Sequence, residues 1–338
     1  MRIGFDPHLD NINAAFSRRF SSAQGIEFTL LRRPGWRDAG VLLPAKMLLF
    51  CVSFFFAAVF RYGLVHVNSA KVGLVAWLAS FFGARYVFTI HGCPHPELEA
   101  QEGAFKALLS RIEVVCMRIV VRRARKVAAI SSFTQRELRD RYGIASDVYY
   151  NGVDPMRSDL GRDEARAAFG IAGCGPVYIS VGRMIAYKDP LRVLDIFLKA
   201  EKENPQARLI YIGDGILRED FLRRCGHADL EGRVLYFQRV SFAEIARAYA
   251  SADYFLSGCD TEGFGLAAVE SLMCGCRPVL PRSGAFPEIF RDASFFYRED
   301  LTFDKGPRSE AECGRILAEF SWDKALDRWE DLYRKESK

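Results

Sequence analysis

The sequence predicts an α/β protein built from two Rossmann-like, doubly wound domains. Short apolar runs rich in β-branched and aromatic residues alternate with helical stretches along the chain, which is the pattern of parallel sheets covered by helices. The chain has 338 residues, enough for two domains of ordinary size. Half of the residues are apolar and 26% are charged, a balance typical of globular proteins.

The first half of the chain contains the strands of one predicted sheet. These strands lie at 3–5, 26–31, 64–67, 86–90, 126–130 and 148–150. Helical patterns separate them, among them 72–82, 104–125 and 133–142. Ligands of doubly wound sheets bind at the carboxyl ends of the strands, so the loops that follow these strands are candidates for the functional site.

The turn signal Asn151-Gly-Val-Asp-Pro155 marks the predicted domain junction. A second series of strands follows at 177–181, 208–212, 234–237, 254–256 and 278–280. We therefore predict an N-terminal domain over 1–155 and a C-terminal domain over 156–320, with the substrate in the cleft between them. Ser321 caps an amphipathic last helix, 321–338, which we expect to cross back to the N-terminal domain, as last helices of such folds often do.

The stretch from Cys259 to Gly275 carries the clearest chemical signal. A short apolar strand leads into a turn with Gly263 and Gly265, and a helix follows. This order points backbone N–H groups and the positive end of the helix dipole into solvent, where an anion can bind. Two carboxylates, Glu262 and Glu270, frame the turn, and two turns of helix, about 7.2 residues, would place them on one side. A glutamate pair at this spacing also arises by chance, but the strand–turn–helix context favours a site.

This stretch resembles a known family signature. Glu262-Gly-Phe-Gly-Leu-Ala-Ala-Val-Glu270, followed by Met273-Cys-Gly-Cys-Arg-Pro278, is similar to the Glu-x7-Glu signature of retaining glycosyltransferases with the GT-B fold, family 4 in particular. The resemblance covers nearly the whole chain and implies the GT-B architecture, two Rossmann-like domains that face each other across a cleft. It also implies that Glu270 binds the ribose of a nucleotide. Glu262 and the backbone amides would hold the transferred sugar and the distal phosphate; these amides belong to Gly263, Phe264, Gly265 and Leu266.

A cationic segment, Gly182-Arg183-Met-Ile-Ala-Tyr-Lys188, lies between a strand and a helix. Arg183 offers a bidentate fork and Lys188 a compact charge, so both heads could converge on one diphosphate. The alternative is a solvated loop with two ordinary cations. The segment resembles the donor-diphosphate motif of the family, which implies that Arg183 and Lys188 hold the leaving phosphates and that Gly182 belongs to the same site.

Two further loops match the family near the nucleotide. Gly213, directly after a strand, resembles the family loop beside the nucleotide, although a plain turn explains it equally well. Arg239 and Val240 match the segment that flanks the nucleobase. Gln238 stands where the family commonly has glycine, so the identity of the base stays open.

His91 follows the strand 86–90 and precedes Gly92. It resembles the active-site histidine of the family, which contacts the donor sugar near the reacting carbon, while a structural histidine is the alternative. The first loop departs from the family, which often has a glycine pair after strand one. Asp6, His8 and Asp10 are the candidates to replace its contacts.

The resemblance implies a retaining hexosyl transfer from a nucleoside-diphosphate sugar to a glycan or glycolipid acceptor, such as a lipid-linked or polysaccharide precursor of lipopolysaccharide or capsule. No Asp-x-Asp metal motif is evident near the predicted site. We therefore expect no metal and no cofactor, because Arg183, Lys188 and the helix N-terminus can stabilise the leaving diphosphate. The rivals are a nucleotide-sugar epimerase or hydrolase on the same fold and a non-catalytic binding partner.

The charge of the chain is uneven. Residues 1–150 hold 20 Lys/Arg against 11 Asp/Glu, a net charge of +9, whereas the chain as a whole carries +5. The helix that begins at Ala104 is amphipathic and basic, and such helices bind anionic bilayers; a solvated basic face is the alternative. The candidate cations are Arg111, Arg118, Arg122, Arg123, Arg125 and Lys126. No nucleic-acid-binding motif accompanies them.

The most apolar stretch is Met47–Phe60. It is shorter than the roughly 20 residues of a spanning helix, so we assign it to a helix buried in the core or lying at an interface. No signal peptide is evident, and the nine cysteines show no C-x-x-C pattern, which favours a reducing compartment. We expect a cytoplasmic protein that associates peripherally with the inner face of the plasma membrane.

Overall fold

The computed structural model of the protein describes residues 2–5, 10–21, 27–30, 43–171, 173, 175–307 and 309–336. The described strands are β1 (Arg2–Phe5), β2 (Glu27–Leu30), β3 (Leu64–Val67), β4 (Tyr86–Ile90), β5 (Lys126–Ala129), β6 (Asp147–Val148), β7 (Val177–Val181), β8 (Arg208–Ile212), β9 (Val234–Phe237), β10 (Tyr254–Leu256) and β11 (Arg277–Val279). The described α-helices are α1 (Asp10–Ser21), α2 (Leu43–Phe60), α3 (Ala70–Ala79), α4 (Pro96–Glu99), α5 (Ala104–Val121), α6 (Ser132–Tyr142), α7 (Arg162–Ala168), α8 (Pro190–Glu203), α9 (Arg218–His227), α10 (Phe242–Ser251), α11 (Leu266–Met273), α12 (Phe286–Ile289), α13 (Glu310–Phe320) and α14 (Trp322–Glu336).

The chain divides into two compact units. The first unit contains Met1–Pro96, Leu108–Gly152 and Phe320–Lys338, and the second contains Glu97–Ala107 and Val153–Glu319. The short segment Glu97–Ala107 therefore belongs to the second unit. The rest of α5, which follows it directly in the chain, belongs to the first unit.

The first unit is organised around a parallel sheet. Its described strands lie in the order β2-β1-β3-β4-β5-β6. One face of this sheet is covered by α2, α3, α5 and α6, which pack around Phe54, Val72 and Met117. The other face is covered by α1 and α14, which bury Phe16 and Trp329. The two faces are thus sealed by separate apolar layers, as the alternation of strands and helices predicts.

The last helix is held in the first unit by its aromatic side. Trp322, Leu326, Trp329 and Tyr333 are buried, as their helical spacing predicts. A Cβ added to Gly152 would lie 2.2 Å from the Trp322 ring, so the chain there passes too close for any side chain.

The second unit contains a second parallel sheet. Its described strands lie in the order β11-β10-β7-β8-β9. α8 packs on this sheet through Val193, Ile196 and Phe197, which are fully buried with Tyr178 and Leu209. Because every pair in this order is parallel, the carboxyl ends of β7 to β10 meet at one edge.

Several element bounds differ from the sequence prediction. α2 begins at Leu43 rather than Met47, because Pro44 is well tolerated in the first turn of a helix. The helix predicted at 72–82 is α3 followed by a 3-10 turn, Ser80–Phe82, which ends at Gly83 with a φ of 91°. Among the described helices, none combines the length and the apolar content that a membrane-spanning helix needs.

Candidate active site

The loops at the carboxyl edge of the second sheet bring most of the predicted residues together. Gly182 follows β7, Gly213 follows β8, Arg239 lies just beyond β9, and Glu262 follows β10. The parallel order places these loops side by side, as expected of a ligand site in a doubly wound sheet.

Lys188 and Glu262 are direct partners at this edge. The Nζ atom of Lys188 lies 2.5 Å from Oε2 of Glu262, and both side chains are half-buried. Burial by itself would lower the pKa of the Lys188 ammonium, but the negative charge of Glu262 outweighs it and holds the pKa above its ordinary value. Lys188 therefore stays positively charged throughout the physiological pH range, as a ligand for phosphate must.

Tyr187 links the two predicted phosphate-binding cations. The Arg183 guanidinium donates to the hydroxyl of Tyr187, and its Cζ lies 5.4 Å from the centre of the ring. The Nζ of Lys188 lies 5.5 Å from the same centre. Sequence reasoning missed Tyr187, although its position between two cations in one short segment is a signal for a ring that orients both.

The loop that carries Glu262 is fixed from two sides. The backbone N–H of Ala285 donates to the carbonyl of Glu262 at 2.8 Å. Asp260 accepts from the Arg192 guanidinium at 2.5 Å and from the Ser283 hydroxyl at 2.7 Å. These contacts connect the loop to α8 and to the segment after β11, so the backbone that carries Glu262 is bonded to its neighbours on both sides.

The helix after this loop begins at Leu266, and its N-cap Gly265 has a φ of 91°. This left-handed conformation favours glycine, and a Cβ there would also lie 2.6 Å from the Phe286 ring. The amino end of α11 is therefore built as predicted. The expected placement of Glu262 and Glu270 on one side of a helix is wrong, because Glu262 lies four residues before the helix and beyond the left-handed turn.

Glu270 lies in the second turn of α11 and is half-buried. Burial raises the pKa of its carboxyl from 4.5 to about 7. The negative charge of Glu270 in turn contributes to the high pKa of the Tyr249 phenol, after the larger effect of burial. The pKa of the Glu270 carboxyl thus lies near neutral pH, a perturbation of the kind that clusters at functional sites.

The loops after β7 and β8 are joined by hydrogen bonds between their backbones. A Cβ on Gly213 would lie 1.8 Å from the carbonyl oxygen of Gly182, so only glycine fits there. The N–H of Met184 donates to the carbonyl of Asp214 at 2.9 Å, and the N–H of Leu217 donates to the carbonyl of Met184 at 3.0 Å. The close approach of the two backbones therefore requires a glycine at position 213. This packing also positions the loop that carries Arg183.

The segment after β9 is joined to the same loops. The Gln238 side-chain amide donates to Asp214 at 2.6 Å. This bond gives a reason for the glutamine that replaces the family glycine. Arg239 is exposed and Val240 is half-buried next to it.

Glu102 is a buried acid that sequence reasoning missed. Its carboxylate accepts from the backbone N–H of Ala186 at 2.9 Å, and its side chain is 2% exposed. Ala186 opens the 3-10 turn that ends at Lys188, so Glu102 anchors that turn within the second unit. No local motif could reveal this contact, because its partners lie 84 positions apart.

His91 lies in the first unit, directly after β4. Its Nε2–H donates to the side-chain oxygen of Asn68 at 3.0 Å. Asn68 follows β3, the neighbouring strand in the sheet, and is buried. The hydrogen bond fixes the tautomer and the orientation of the His91 ring. Asn68 was not singled out from sequence, because an asparagine after a strand is also a common turn residue.

The predicted basic residues of α5 and its continuation differ in their surroundings. Arg111, Arg118, Arg122 and Arg125 are exposed. Arg123 donates to the Ser80 hydroxyl at 2.8 Å and lies over the Phe81 ring. Lys126 pairs with Asp147 and belongs to β5. Lys126 and Arg123 are therefore committed to contacts within the protein.

The remaining predictions concern the first loop and metals. Asp6 and His8 lie outside the described residues, and of Asp10 only the backbone position at the start of α1 is described. Within the described ranges, no group of three His, Cys, Asp or Glu side chains is arranged to hold a metal ion.

Both halves of the chain match known sequence families. Residues 161–304 match the family described as Glycosyl transferases group 1, and residues 16–157 match Glycosyltransferase Family 4. A curated D-inositol 3-phosphate glycosyltransferase of Mycobacterium leprae is 30% identical over 212 residues, which cover 56% of this chain and 49% of the relative. The corresponding protein of Mycolicibacterium smegmatis is 28% identical, covering 68% of this chain and 54% of the relative. The chain thus spans about half the length of these curated relatives.

Solved structures share the fold. HepE of Anabaena, solved in complex with UDP-glucose, superposes with a TM-score of 0.76 at 18% identity and covers 99% of this chain and 100% of its own. Sucrose-phosphate synthase of Thermosynechococcus elongatus superposes with a TM-score of 0.75 at 16% identity, covering 99% and 98%. At these identities the likeness concerns the fold, and it confirms the predicted α/β class with two parallel sheets.

Proposed function

The chain belongs to the group 1, family 4-like glycosyltransferases, and we propose that it moves a sugar from a nucleoside-diphosphate sugar to a hydroxyl group of a lipid-linked or polysaccharide-precursor acceptor. The cluster at the carboxyl edge of the second sheet supports this most. There Arg183 and Lys188 share the Tyr187 ring, and Lys188 contacts Glu262 beside the amino end of α11.

Each residue of the cluster has a role in this proposal. Arg183 and Lys188 bind the two phosphates of the donor, and the amides at the start of α11 bind the distal phosphate. Glu262 accepts hydrogen bonds from hydroxyls of the transferred sugar, and Glu270 accepts from the ribose. For His91, contact with the donor sugar beside the reacting carbon is the role that the family implies.

The reaction breaks the bond between the anomeric carbon and the oxygen of the distal phosphate. The electron pair leaves with the diphosphate, and positive charge develops on the sugar ring. The acceptor oxygen forms its bond on the face that the diphosphate leaves, so the configuration is retained, and the hydroxyl proton passes to the departing phosphate. Arg183, Lys188 and the helix amides stabilise the charge that develops on the leaving group, which is the work that a metal ion does in other transferases.

The donor and the acceptor are proposed by class. HepE, a structure with the same fold, was solved in complex with UDP-glucose, so a UDP-sugar is the first donor to test. The curated relatives are named for transfer to an inositol phosphate, an acceptor that joins a polyol to an anion. For this chain we propose a glycan or glycolipid acceptor at the inner face of the plasma membrane, reached from the cytoplasm.

A donor screen tests the proposal. The chain is melted with UDP-, GDP-, ADP-, CDP- and dTDP-sugars, and release of the nucleoside diphosphate is measured with and without acceptor glycolipids. A donor at about 100 times its dissociation constant stabilises the folded state by roughly 2.7 kcal/mol. We expect sugar nucleotides with one of these bases to stabilise the wild type, and to stabilise Lys188→Ala less at the same concentration. Stabilisation by none of them would contradict the proposal, and turnover of the donor alone would indicate a hydrolase or epimerase.

A further inference from the structure

Helix α2 presents an apolar stripe to solvent. Leu48, Val52, Phe56 and Phe60 follow one another at intervals of four residues and are 67, 44, 54 and 79% exposed. The opposite side of the helix packs on the first sheet through the buried ring of Phe54. A helix that is apolar on both sides is normally covered on both sides, so the exposed stripe indicates an interaction surface.

The apolar surface continues onto the neighbouring helix. α3 packs beside α2, and the rings of Phe55 and Phe82 lie 5.5 Å apart. Phe81 and Phe82, in the 3-10 turn after α3, are 56 and 64% exposed. On its other side α3 meets α5 so closely that a Cβ on Gly73 would lie 2.8 Å from the Val120 side chain. α2, α3 and α5 therefore form one continuous layer.

α5 adds apolar residues and cations to this layer. Leu108, Ile112 and Val115 are exposed along the helix. Arg118 and Arg122 follow and are exposed as well. We call the outward side of the layer the apolar face; it consists of the α2 stripe, Phe81, Phe82 and these three residues of α5.

The sequence that builds this layer is almost devoid of acids. From residue 39 to residue 96 the chain contains no Asp or Glu, whereas it contains the exposed cations Lys46, Arg61 and Lys71. The fourth cation of this stretch, Arg85, donates instead to the carbonyl of Glu336 in α14. α5 contributes a single acid, Glu113, against its several cations. The surroundings of the apolar face therefore favour an anionic partner.

Polar groups on α2 do not oppose burial of the stripe. Ser53 donates its hydroxyl hydrogen to the carbonyl of Leu49 at 3.0 Å, so this hydroxyl does not depend on water. Backbone groups in the helix interior are bonded within the helix, which is what an apolar medium demands.

We propose that the apolar face docks on the surface of an anionic phospholipid bilayer. The aromatic and aliphatic side chains enter the region of the acyl chains, and Arg118 and Arg122 lie among the headgroup phosphates. This inference rests on the proposed function, because docking would hold the enzyme where a lipid-linked acceptor lies. Binding to vesicles is measured without turnover, so the two proposals can fail separately.

A second copy of the chain fits this face less well than a bilayer. In a two-fold contact the same patch meets itself, so one interface would gather the Arg118 and Arg122 side chains of both copies. A bilayer that contains anionic lipids supplies the opposite charge along the whole face.

The test is flotation of the full chain with vesicles of phosphatidylcholine alone and of phosphatidylcholine with phosphatidylglycerol. We expect binding to the anionic vesicles that weakens as salt is raised. Phe56→Ser with Phe60→Ser should lower the partition coefficient about 10-fold or more, and Arg118→Glu with Arg122→Glu should do the same. Arg123 is left unchanged because it contacts Ser80.

Matched controls come from the second unit. Phe242→Ser removes a ring that is 69% exposed, and Lys199→Glu with Lys202→Glu reverses two exposed charges. Both controls should bind as the wild type does. The proposal is overturned if the wild type does not float, or if the face variants and the controls bind alike. A concentration-dependent dimer that Phe56→Ser with Phe60→Ser dissociates, without any vesicle binding, would assign the face to a second copy instead.

Discussion

Lys188 and Glu262 are bonded to each other, with 2.5 Å between Nζ and Oε2, although the proposed function gives each of them a different part of one ligand. A diphosphate that binds Lys188 competes with Glu262 for the ammonium group. The carboxylate is then available to the sugar hydroxyls. Under the proposed function, donor binding would therefore exchange the partners of Lys188 and Glu262, and neither charge would be left without a partner.

The first prediction concerns Lys188. Lys188→Ala should lower kcat about 10²- to 10³-fold, because it removes a charge aimed at the leaving diphosphate. Initial rates at saturating donor measure this effect, and the melting temperature shows whether the fold is kept. Lys202→Ala, which removes an exposed lysine of α8, is the control and should be fully active. Wild-type activity in Lys188→Ala would remove the phosphate-binding role.

The second prediction is a pH dependence of stability that arises from Glu270. Its pKa in the folded state is about 7, above the ordinary value of 4.5, so the folded protein keeps a proton that the unfolded chain releases between these values. The free energy of unfolding should therefore fall as pH rises from 4.5 to 7, with no further loss from this group above pH 7. Urea titrations of wild type and Glu270→Gln across this range should differ in slope. Glu231→Gln, at an exposed position, should match the wild type.

The third prediction is the effect of Glu270 on nucleotide binding. If its carboxylate accepts from the ribose, Glu270→Ala should weaken binding of the nucleoside diphosphate about 10- to 100-fold, the range for hydrogen bonds to a charged group. Because the charged form accumulates as pH passes about 7, the wild type should bind more tightly at pH 8 than at pH 6. Calorimetry at both values measures this. Equal affinities in wild type and variant would exclude the ribose role.

The fourth prediction concerns the contact between Gly213 and Gly182. Gly213→Ala should lower the free energy of unfolding by roughly 2 kcal/mol and abolish nucleotide binding, because the new Cβ collides with the carbonyl of Gly182. Denaturant melts and calorimetry test both effects. Gly226→Ala in α9 is the control, since nothing lies within 4 Å of the added Cβ there. A Gly213→Ala protein that binds nucleotide normally would show that the two loops can separate.

The fifth prediction is a double-mutant cycle on His91 and Asn68. If Asn68 acts by orienting His91, Asn68→Ala should lower kcat about 10-fold with little change in the KM for the donor. His91→Ala should lower kcat further, and adding Asn68→Ala to it should have no additional effect. Additive losses in the double variant would instead give Asn68 a role of its own.

Much of the fold follows from local sequence. Strands such as β3, β4, β7 and β8 have the predicted bounds, because each is a short apolar run between turn residues. The loops of Arg183, Lys188 and Glu262, which remain predicted site residues, also lie between a strand and a helix as the sequence predicts. Here the local order of residues is sufficient to specify the backbone.

The features that the sequence did not predict depend on distant partners. Asn68 and His91 lie 23 positions apart, and Glu102 and Ala186 lie 84 positions apart. Their pairing is decided by strand order and packing. The exposed stripe of α2 escaped prediction for a different reason. A helix with apolar residues all around carries no periodic signal that tells which side faces the sheet.

The division of the chain has a practical consequence for exchanging parts between related enzymes. The chain passes from one unit to the other at four points, because Glu97–Ala107 belongs to the second unit and Phe320–Lys338 to the first. Consider a chimera that takes residues 1–152 from a relative and the rest from this chain. The turn that ends at Lys188 would then meet the relative's residue in place of Glu102. The last helix of this chain would pack against the relative's α1. A hybrid that keeps the second unit intact must transplant 97–107 together with 153–319, and neither unit can be produced as one uninterrupted fragment.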